Sequence, residues 1–423
     1  MSLNEKYFAI LKEELVPALG CTEPIAIAYA SAKAAQVLGE EVMGVKVSCS
    51  GNIIKNVKGV VVPNTGGLRG VKAASIVGVI AGNPDLGLEV IANVSEEQIA
   101  KVKELATTDF CELECLYQEA NLNIIVEVFG EHHRALVQIM HTHTNIVRIE
   151  KDDDVLFEKP VDAADFNSAL IDRSCLNIKD IYEFALNCPL DEMRPLLEKG
   201  IDYNLKIAEE GLKNDYGAKV GKVILKLHEN DIYDRCIAYA AAASDARMSG
   251  CKMAVMTTSG SGNQGITATL PVIIFAREKK LEHEKLLRAL IFATLITIHI
   301  KTGIGRLSAY CGAVCAASGS FCGIAMLEGY GLDVINKMII NNLGTVSGMI
   351  CDGAKESCAS KISTALYSAY IGYKMAISDI CFTPHSGIIQ DEVEDTIDKV
   401  GELGRDGMRE TDHVILKIMV DDH

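Results

Sequence analysis

The chain has no tryptophan and only 5% aromatic residues, so its interior must be built mainly from Ala, Val, Ile and Leu, which dominate a hydrophobic share of 49%. That composition describes an ordered globular protein with close helix packing. It also has no Lys/Arg cluster, and its formal net charge is -16. A phosphate backbone would be repelled rather than gripped, which argues against nucleic-acid binding. Long apolar runs are missing too. The longest, "ALIFATLITIHI" from Ala289 to Ile300, is far short of the ~20 residues a bilayer needs, so it reads as a buried core helix and no membrane partner is expected. The opening "MSLNEKYFAILKEELVPAL" is amphipathic and broken by Asn, Glu and Lys. It lacks the apolar core of a signal peptide, and a cytoplasmic location is expected. There is neither an internal repeat nor a low-complexity tract. The 423 residues suggest two or three domains, at roughly 100 to 200 residues each.

What is present changes in texture along the chain. Helical periodicity at residues 4–15 and 24–38 gives way to "EVMGVKVSCSGNII", whose alternating Val and Ile read as a strand. "SEEQIAKVKEL", from Ser95, has the Ser-x-x-Gln spacing of a capping box and predicts a helix. Then "CELECLYQEA", "LNIIVEVFG" and "HHRALVQIMHTHTNIVRIE" are β-branched, alternating segments with polar breaks, predicting a helix on a small antiparallel sheet. "KDDDVLFEKPVDAADF" combines a charge run with a Pro and reads as a linker. From roughly residue 165 onward, long Ala-, Leu- and Ile-rich segments punctuated by Gly read as helices. The expected fold class is α+β: an N-terminal mixed α/β domain with a small antiparallel sheet over residues 1–160, holding the loop with Cys21, followed by a mostly helical domain over residues 165–423.

Four short stretches carry candidate chemistry. "GSGNQG", residues 260–265, satisfies G-x-G-x-x-G after the strand-like "KMAVMTT". A dinucleotide site needs a helix to begin there, with its N-terminus facing the pyrophosphate. The following "ITATLPVIIFA" is β-branched, interrupted by Pro271, and opens a helix poorly. Backbone N–H groups freed by glycine, with Ser261 and Asn263, could instead hold a carboxylate, and a plain tight turn competes with that reading. In "VPNTGGLRG", Asn64 and Thr65 could hydrogen-bond a small ligand that the glycines let approach, although alone the stretch is a turn. In "LGCTEPIAIAYA", Thr22 reads as the cap of a helix whose first turn holds Glu23 and Pro24. Cys21 then stands just ahead of a helix N-terminus, where the dipole favours a thiolate and lowers the thiol pKa. It is a candidate base or nucleophile, beside the plainer reading of a buried Cys. His141 and His143 in "HTHTN" share one strand face, but two ligands make no zinc site and no third is near. They read as a solvent-side or hydrogen-bonded pair, and His132 and His133 as residues beside a turn that face water.

Fourteen cysteines in a reducing compartment do not read as a disulfide framework, and about two-thirds of them read as small core hydrophobes. "AYCGAVCAASGSFCG" carries Cys311, Cys315 and Cys322, and "MICDGAKESCASK" carries Cys351 and Cys358. An iron–sulfur cluster needs thiolates converging in a polar, backbone-rich pocket, and three of them leave one iron open for substrate. The Gly353 turn permits Cys351 and Cys358 to converge. Spacing does not choose among the five cysteines, since Cys311 and Cys315, four apart, would share a helical face.

Taken together, "GCTEPIAIA", "PNTGGLRG", "GSGNQG" and the order of Cys311, Cys351 and Cys358 resemble the L-cysteine desulfidase family, which is related to the α-chain domain of iron–sulfur L-serine dehydratases. The resemblance runs over nearly the whole chain. It implies a 4Fe-4S cluster on the cysteines matching Cys311, Cys351 and Cys358, one open iron, no pyridoxal phosphate, and a catalytic role for the cysteine matching Cys21. Cys315 and Cys322 fall back to packing. Some related dehydratases close the cluster with a C-terminal cysteine, whereas this chain ends "KIMVDDH", so the resting fourth ligand would be water or Cys21. The implied activity is a PLP-independent carbon–sulfur lyase turning L-cysteine into pyruvate, ammonia and sulfide, with Asn64, Thr65, Ser261 and Asn263 as candidate holders of the substrate's carboxylate and amino groups. Its rivals are L-serine or another β-substituted amino acid as substrate, a non-catalytic iron–sulfur or thiol redox sensor, and a nucleotide-dependent enzyme using residues 260–265. The expected partner is a small amino acid, and the chain is expected to form a homo-oligomer.

Overall fold

The computed structural model of the chain describes residues 2–116, 120–162, 170–227 and 231–421. The first part runs α1 (Leu3–Glu14), β1 (Pro17–Leu19), α2 (Thr22–Leu38), β2 (Gly44–Ser50), α3 (Gly51–Lys58), α4 (Gly70–Ala81) and α5 (Glu96–Leu105), then β3 (Cys111–Leu116), β4 (Asn123–Phe129), β5 (Arg134–Met140), β6 (Ile146–Lys151) and β7 (Asp154–Glu158). The rest is helical apart from one short strand: α6 (Ile178–Asn187), α7 (Arg194–Lys213), α8 (Val220–Ile224), α9 (Ile232–Met248), β8 (Ala254–Met256), α10 (Gly262–Glu278), α11 (His283–Thr302), α12 (Ala313–Leu327), α13 (Leu332–Val346), α14 (Cys358–Ile377), α15 (Val393–Glu402) and α16 (Arg409–Asp421). The α+β class expected from the sequence is the one observed.

Local chemistry explains several boundaries. At α5 the Ser95 hydroxyl accepts from the Gln98 N–H while the Gln98 side chain accepts from the Ser95 N–H, the reciprocal capping box that the spacing predicts. "ALIFATLITIHI" lies in α11 with nearly every residue buried. Among the described residues no helix is long and apolar enough to cross a membrane.

The sheet has the order β3-β2-β4-β5-β6-β7, and its neighbours are antiparallel except for β2 and β3, which are parallel. The purely antiparallel expectation is corrected at that pair. The chain between them passes through α3, α4 and α5, a crossover long enough to return in the same direction. A second correction concerns the expected linker. Within it, Asp154–Glu158 forms β7, an exposed edge strand antiparallel to β6, because the hairpin closes through Asp152 in the left-handed region, φ 54°. Residues 163–169 of that stretch, and residues 117–119 of "CELECLYQEA", lie outside the described residues.

Among the described residues two large apolar cores result, beside two small clusters. One lies between the sheet and α2 with α4, and includes Val47, Ile124, Val126, Val137 and Ile139. The other is helical and includes the apolar face of α1, whose Tyr7 and Phe8 meet Phe184 of α6 edge-on at 5.0 and 5.1 Å between ring centroids. The antiparallel pair of β1 with β8 ties the N-terminal segment to the helical part.

Helix α10 begins inside "GSGNQG", where the sequence reading expected no good helix start. Ser261 is its N-cap, the hydroxyl accepting from the Gln264 N–H at 3.4 Å. Pro271 sits within the helix. Tertiary packing overrides the poor local propensity, because residues from Gly265 to Ala276 are buried throughout. Gly265 permits the approach: a Cβ there would stand 1.9 Å from the carbonyl oxygen of Met256 in β8. Gly265→Ala is therefore expected to lower stability by about 3 kcal/mol through overpacking. A fall in the urea midpoint at unchanged slope would register it.

Candidate functional site

Between the two cores a cleft of about 750 Å³, mouth included, is lined by Cys21, Glu23, Asn56, Arg247, Ser261, Asn263, Lys301, Tyr310, Cys311, Cys351, Cys358 and Lys361, among others. Four segments distant in sequence supply most of it, with Asn56 from α3 and Lys301 from α11.

The first is the start of α2. Its N-cap is Cys21 rather than Thr22, and no side chain caps the backbone, so the expected role of Thr22 is corrected. The Thr22 hydroxyl turns instead to Glu23 Oε2 at 3.1 Å, and the Cys21 thiol donates to the same oxygen at 3.0 Å. Asn56 Nδ2 donates to Glu23 Oε1 at 3.2 Å, and His143 Nε2 lies 3.6 Å from that oxygen. Burial pushes the Glu23 carboxyl up, but the nearness of His143 and the bond from the Cys21 thiol outweigh it and hold the group down at about 2. For Cys21 the balance is reversed. Burial, then the neighbouring Glu23 charge, drive its thiol well above the ordinary value, with Arg247 pulling the other way. The helix-dipole expectation of a lowered thiol pKa is thus corrected, since desolvation and a carboxylate at hydrogen-bond distance outweigh a partial charge. Cys21 rests as a thiol bonded to a carboxylate.

The second segment is the α10 N-terminus with α9. Asn263 Oδ1 accepts from Arg247 Nη1 at 3.0 Å, and Asn263 Nδ2 lies 3.7 Å from Met248 Sδ. Ser261 uses an oxygen lone pair for its cap, which leaves the hydroxyl proton available to the cleft it lines.

The third and fourth segments bring the cysteines together. Residues 309–311 pair with 349–351: the Cys311 N–H donates to the Met349 carbonyl at 3.0 Å, and the Cys351 N–H to that of Ala309 at 2.6 Å. Cys311 therefore lies before α12 rather than on it, and the helical face it was expected to share with Cys315 does not exist. Gly353, at φ 94°, carries the turn from Cys351 to Cys358, the first residue of α14. A Cβ at this glycine would fall 2.4 Å from the Lys55 carbonyl oxygen of α3. Burial, then Cys351 and Cys358, push the Cys311 thiol up to about 12, and burial followed in part by Cys351 raises Cys358. Cys21 packs in a small cluster that Cys358 adjoins. Cys315 and Cys322 are fully buried in the helical core. Among the described residues no three His, Cys, Asp or Glu side chains converge as ligands of a single metal ion would.

Asn64 and Thr65 are not part of the cleft lining. Asn64, at φ 58°, donates to the Ile91 carbonyl at 2.8 Å and ties the turn to that segment, whereas Thr65 donates to Val62 O and accepts from Leu68 N–H and so fastens its own turn. His141 and His143 are buried rather than solvent-side and lie just past β5, His141 bonding the Asp162 carbonyl at 2.8 Å. Arg247, Lys301, Asn56 and Arg306 were not singled out from the sequence. Each sits in unremarkable local sequence, and only its burial against the cleft draws notice.

A protein-family model described as serine dehydratase alpha chain matches residues 85–417. A UPF0597 protein of Treponema denticola is 45% identical over 100% of this chain and 99% of its own. UPF0597 proteins of Lachnoclostridium phytofermentans and Fusobacterium nucleatum are 49% and 47% identical, covering 99% and 98% of this chain and 100% and 98% of theirs.

The carboxyl pKa held low predicts an acid-side signature. Glu23 contributes stability that is fully present above its ordinary value of 4.5 and is lost as pH falls from there toward about 2. Melting temperature against pH is expected to fall less steeply through that window in Glu23→Gln than in the parent. Equal slopes would show that Glu23 is not paired in the folded protein.

Proposed function

This chain belongs to the serine dehydratase alpha-chain family, and from that premise we propose that it is an iron–sulfur-dependent, PLP-independent lyase that eliminates the β-substituent of an L-amino acid, with L-cysteine as substrate. The observation that carries the reading is one cleft lined by Cys21, Cys311, Cys351 and Cys358 together with two buried cations, Arg247 and Lys301. L-Cysteine is favoured by the motif resemblance to cysteine desulfidases. L-Serine is the second reading, favoured by the family's own description.

The family implies a 4Fe-4S cluster, and the residues fit it. Thiolates of such a cluster bind different irons and stand apart around it, so the absence of single-ion convergence among the described residues is compatible with this donor set. Cys311, Cys351 and Cys358 would hold it. Buried Lys301, lowered by desolvation and opposed by the charges of Cys315, Cys351 and Cys311, supplies a nearby positive charge for a negatively charged centre. When bound, such a group supplies a Lewis acid for the thiol or hydroxyl that departs.

The remaining chemistry belongs to the chain. The first turn of α10, with Ser261, receives the carboxylate. Cys21 Sγ is the proton-moving atom near the cluster cysteines. As the α-proton comes to sulfur, the thiol's own proton moves along the 3.0 Å bond to Glu23 Oε2, so that no free thiolate is formed beside the carboxylate. The electron pair of the Cα–H bond forms the Cα=Cβ bond as the Cβ–S pair departs with sulfur. The α-proton stays on sulfur and restores the Cys21 thiol, while the proton held by Glu23 joins the departing hydrosulfide to give H2S and restores the carboxylate. Aminoacrylate then tautomerises and takes up water to give pyruvate and ammonia.

Iron and labile sulfide measured on anaerobically reconstituted protein test the assignment. Cys311→Ala, Cys351→Ala and Cys358→Ala are expected to lose the cluster. Cys21→Ala is expected to keep it and to lose activity by about 10²- to 10⁴-fold. A full cluster in Cys358→Ala would remove that ligand from the set. Sulfide from cysteine compared with pyruvate from serine separates the two substrates, and turnover of neither would overturn the reading.

A further inference from the structure

The cleft holds cations of two kinds. Arg306 is paired with Glu14 at 2.8 Å, and Lys361 with Asp352. Arg247 differs: it is only 2% exposed, its Nη1 is bound to a neutral amide, and its Nε has no hydrogen-bond partner. Arg173, buried to a similar degree, is instead clamped by Glu13 and Glu14. Withdrawing a guanidinium from water costs several kcal/mol unless an anion answers it. Arg247 is therefore a buried positive charge aimed into a cavity and left without its anion among the described residues.

Its surroundings specify what that anion is. The guanidinium lies against the start of α10, close enough that a Cβ on Gly262 would stand 2.5 Å from Arg247 Nε. There the free N–H groups of the first turn and the Ser261 hydroxyl add further donors. Asn263 fixes the plane of the guanidinium.

We propose that Arg247, with Ser261 and the first turn of α10, is the subsite for the α-carboxylate of the amino-acid substrate, and that Asn263 positions Arg247 rather than touching the ligand. The inference rests on the lyase reading for the identity of its ligand. A planar guanidinium and a carboxylate match in a two-point contact, so the subsite selects α-carboxylates and excludes the corresponding amines.

The test uses the anaerobically reconstituted full chain and equilibrium binding rather than turnover. The probes are 3-mercaptopropionate, which has a thiol and a carboxylate, and cysteamine, which has a thiol and no carboxylate. Wild-type protein is expected to bind mercaptopropionate at least about tenfold more tightly than cysteamine. Arg247→Gln is expected to weaken mercaptopropionate by about 10- to 100-fold while leaving cysteamine affinity, iron and sulfide unchanged. Asn263→Ala is expected to lose part of the same preference. Arg247→Lys, which keeps the charge and loses the fork, is expected to fall between parent and Gln variant, and it decides the matter if Arg247→Gln does not fold. Equal mercaptopropionate affinity in parent and variants, or no binding to the parent, would overturn the subsite. A carboxylate preference that depends on Arg247 in a protein that turns over neither cysteine nor serine would leave the subsite standing and sink the lyase assignment instead.

Discussion

Between the sheet-side core and the helical core, Glu14, Glu23, Arg173, Arg247 and Lys301 are all withdrawn from water, and the need to match buried charge governs how this seam is built. Glu14 stands between Arg173 and Arg306, and Glu23 collects hydrogen bonds from Cys21, Thr22 and Asn56, with His143 3.6 Å away. Among the described residues neither Arg247 nor Lys301 has an ion-pair partner. One stands at the α10 N-terminus and the other in the same cleft as Cys311 and Cys351, which is the basis of the proposed carboxylate and metal–sulfur ends.

The same seam sets the state of Cys21. At the end of a helix in water a thiol would be helped to ionise, but here burial and a carboxylate at 3.0 Å hold the proton on sulfur. In the proposed reaction that same bond lets the thiol exchange its proton with Glu23. His143, from the sheet side of the molecule, lies 3.6 Å from the other Glu23 oxygen.

Much of the architecture was legible in the sequence where a pattern is local. The capping box at Ser95, the alternation of "LNIIVEVFG" and the apolar length of α11 each follow from spacing alone. The reading failed where partners distant in sequence decided. "GSGNQG" opens a helix despite Pro271 because β8 and the helical core bury it. "KDDDVLF" contributes an edge strand because β6 is there to pair with. Asn64 and Thr65 look like ligand groups in a glycine-rich loop, yet their hydrogen-bonding capacity is used within and beside that loop.

Local residues thus determined the element types, the division into a mixed sheet part and a helical part, and the cysteines and glycine-rich turns from which a site could be made. Only the tertiary structure decided which of them meet. Cys311 and Cys351 are forty residues apart and come together through a backbone bridge between residues 310 and 350. Arg247 has nothing in its neighbouring sequence to mark it, and it gains its meaning from being buried, without a counter-ion among the described residues, beside a helix N-terminus formed by other residues. Charge compensation and desolvation depend on distance in space, and a linear sequence carries no measure of either.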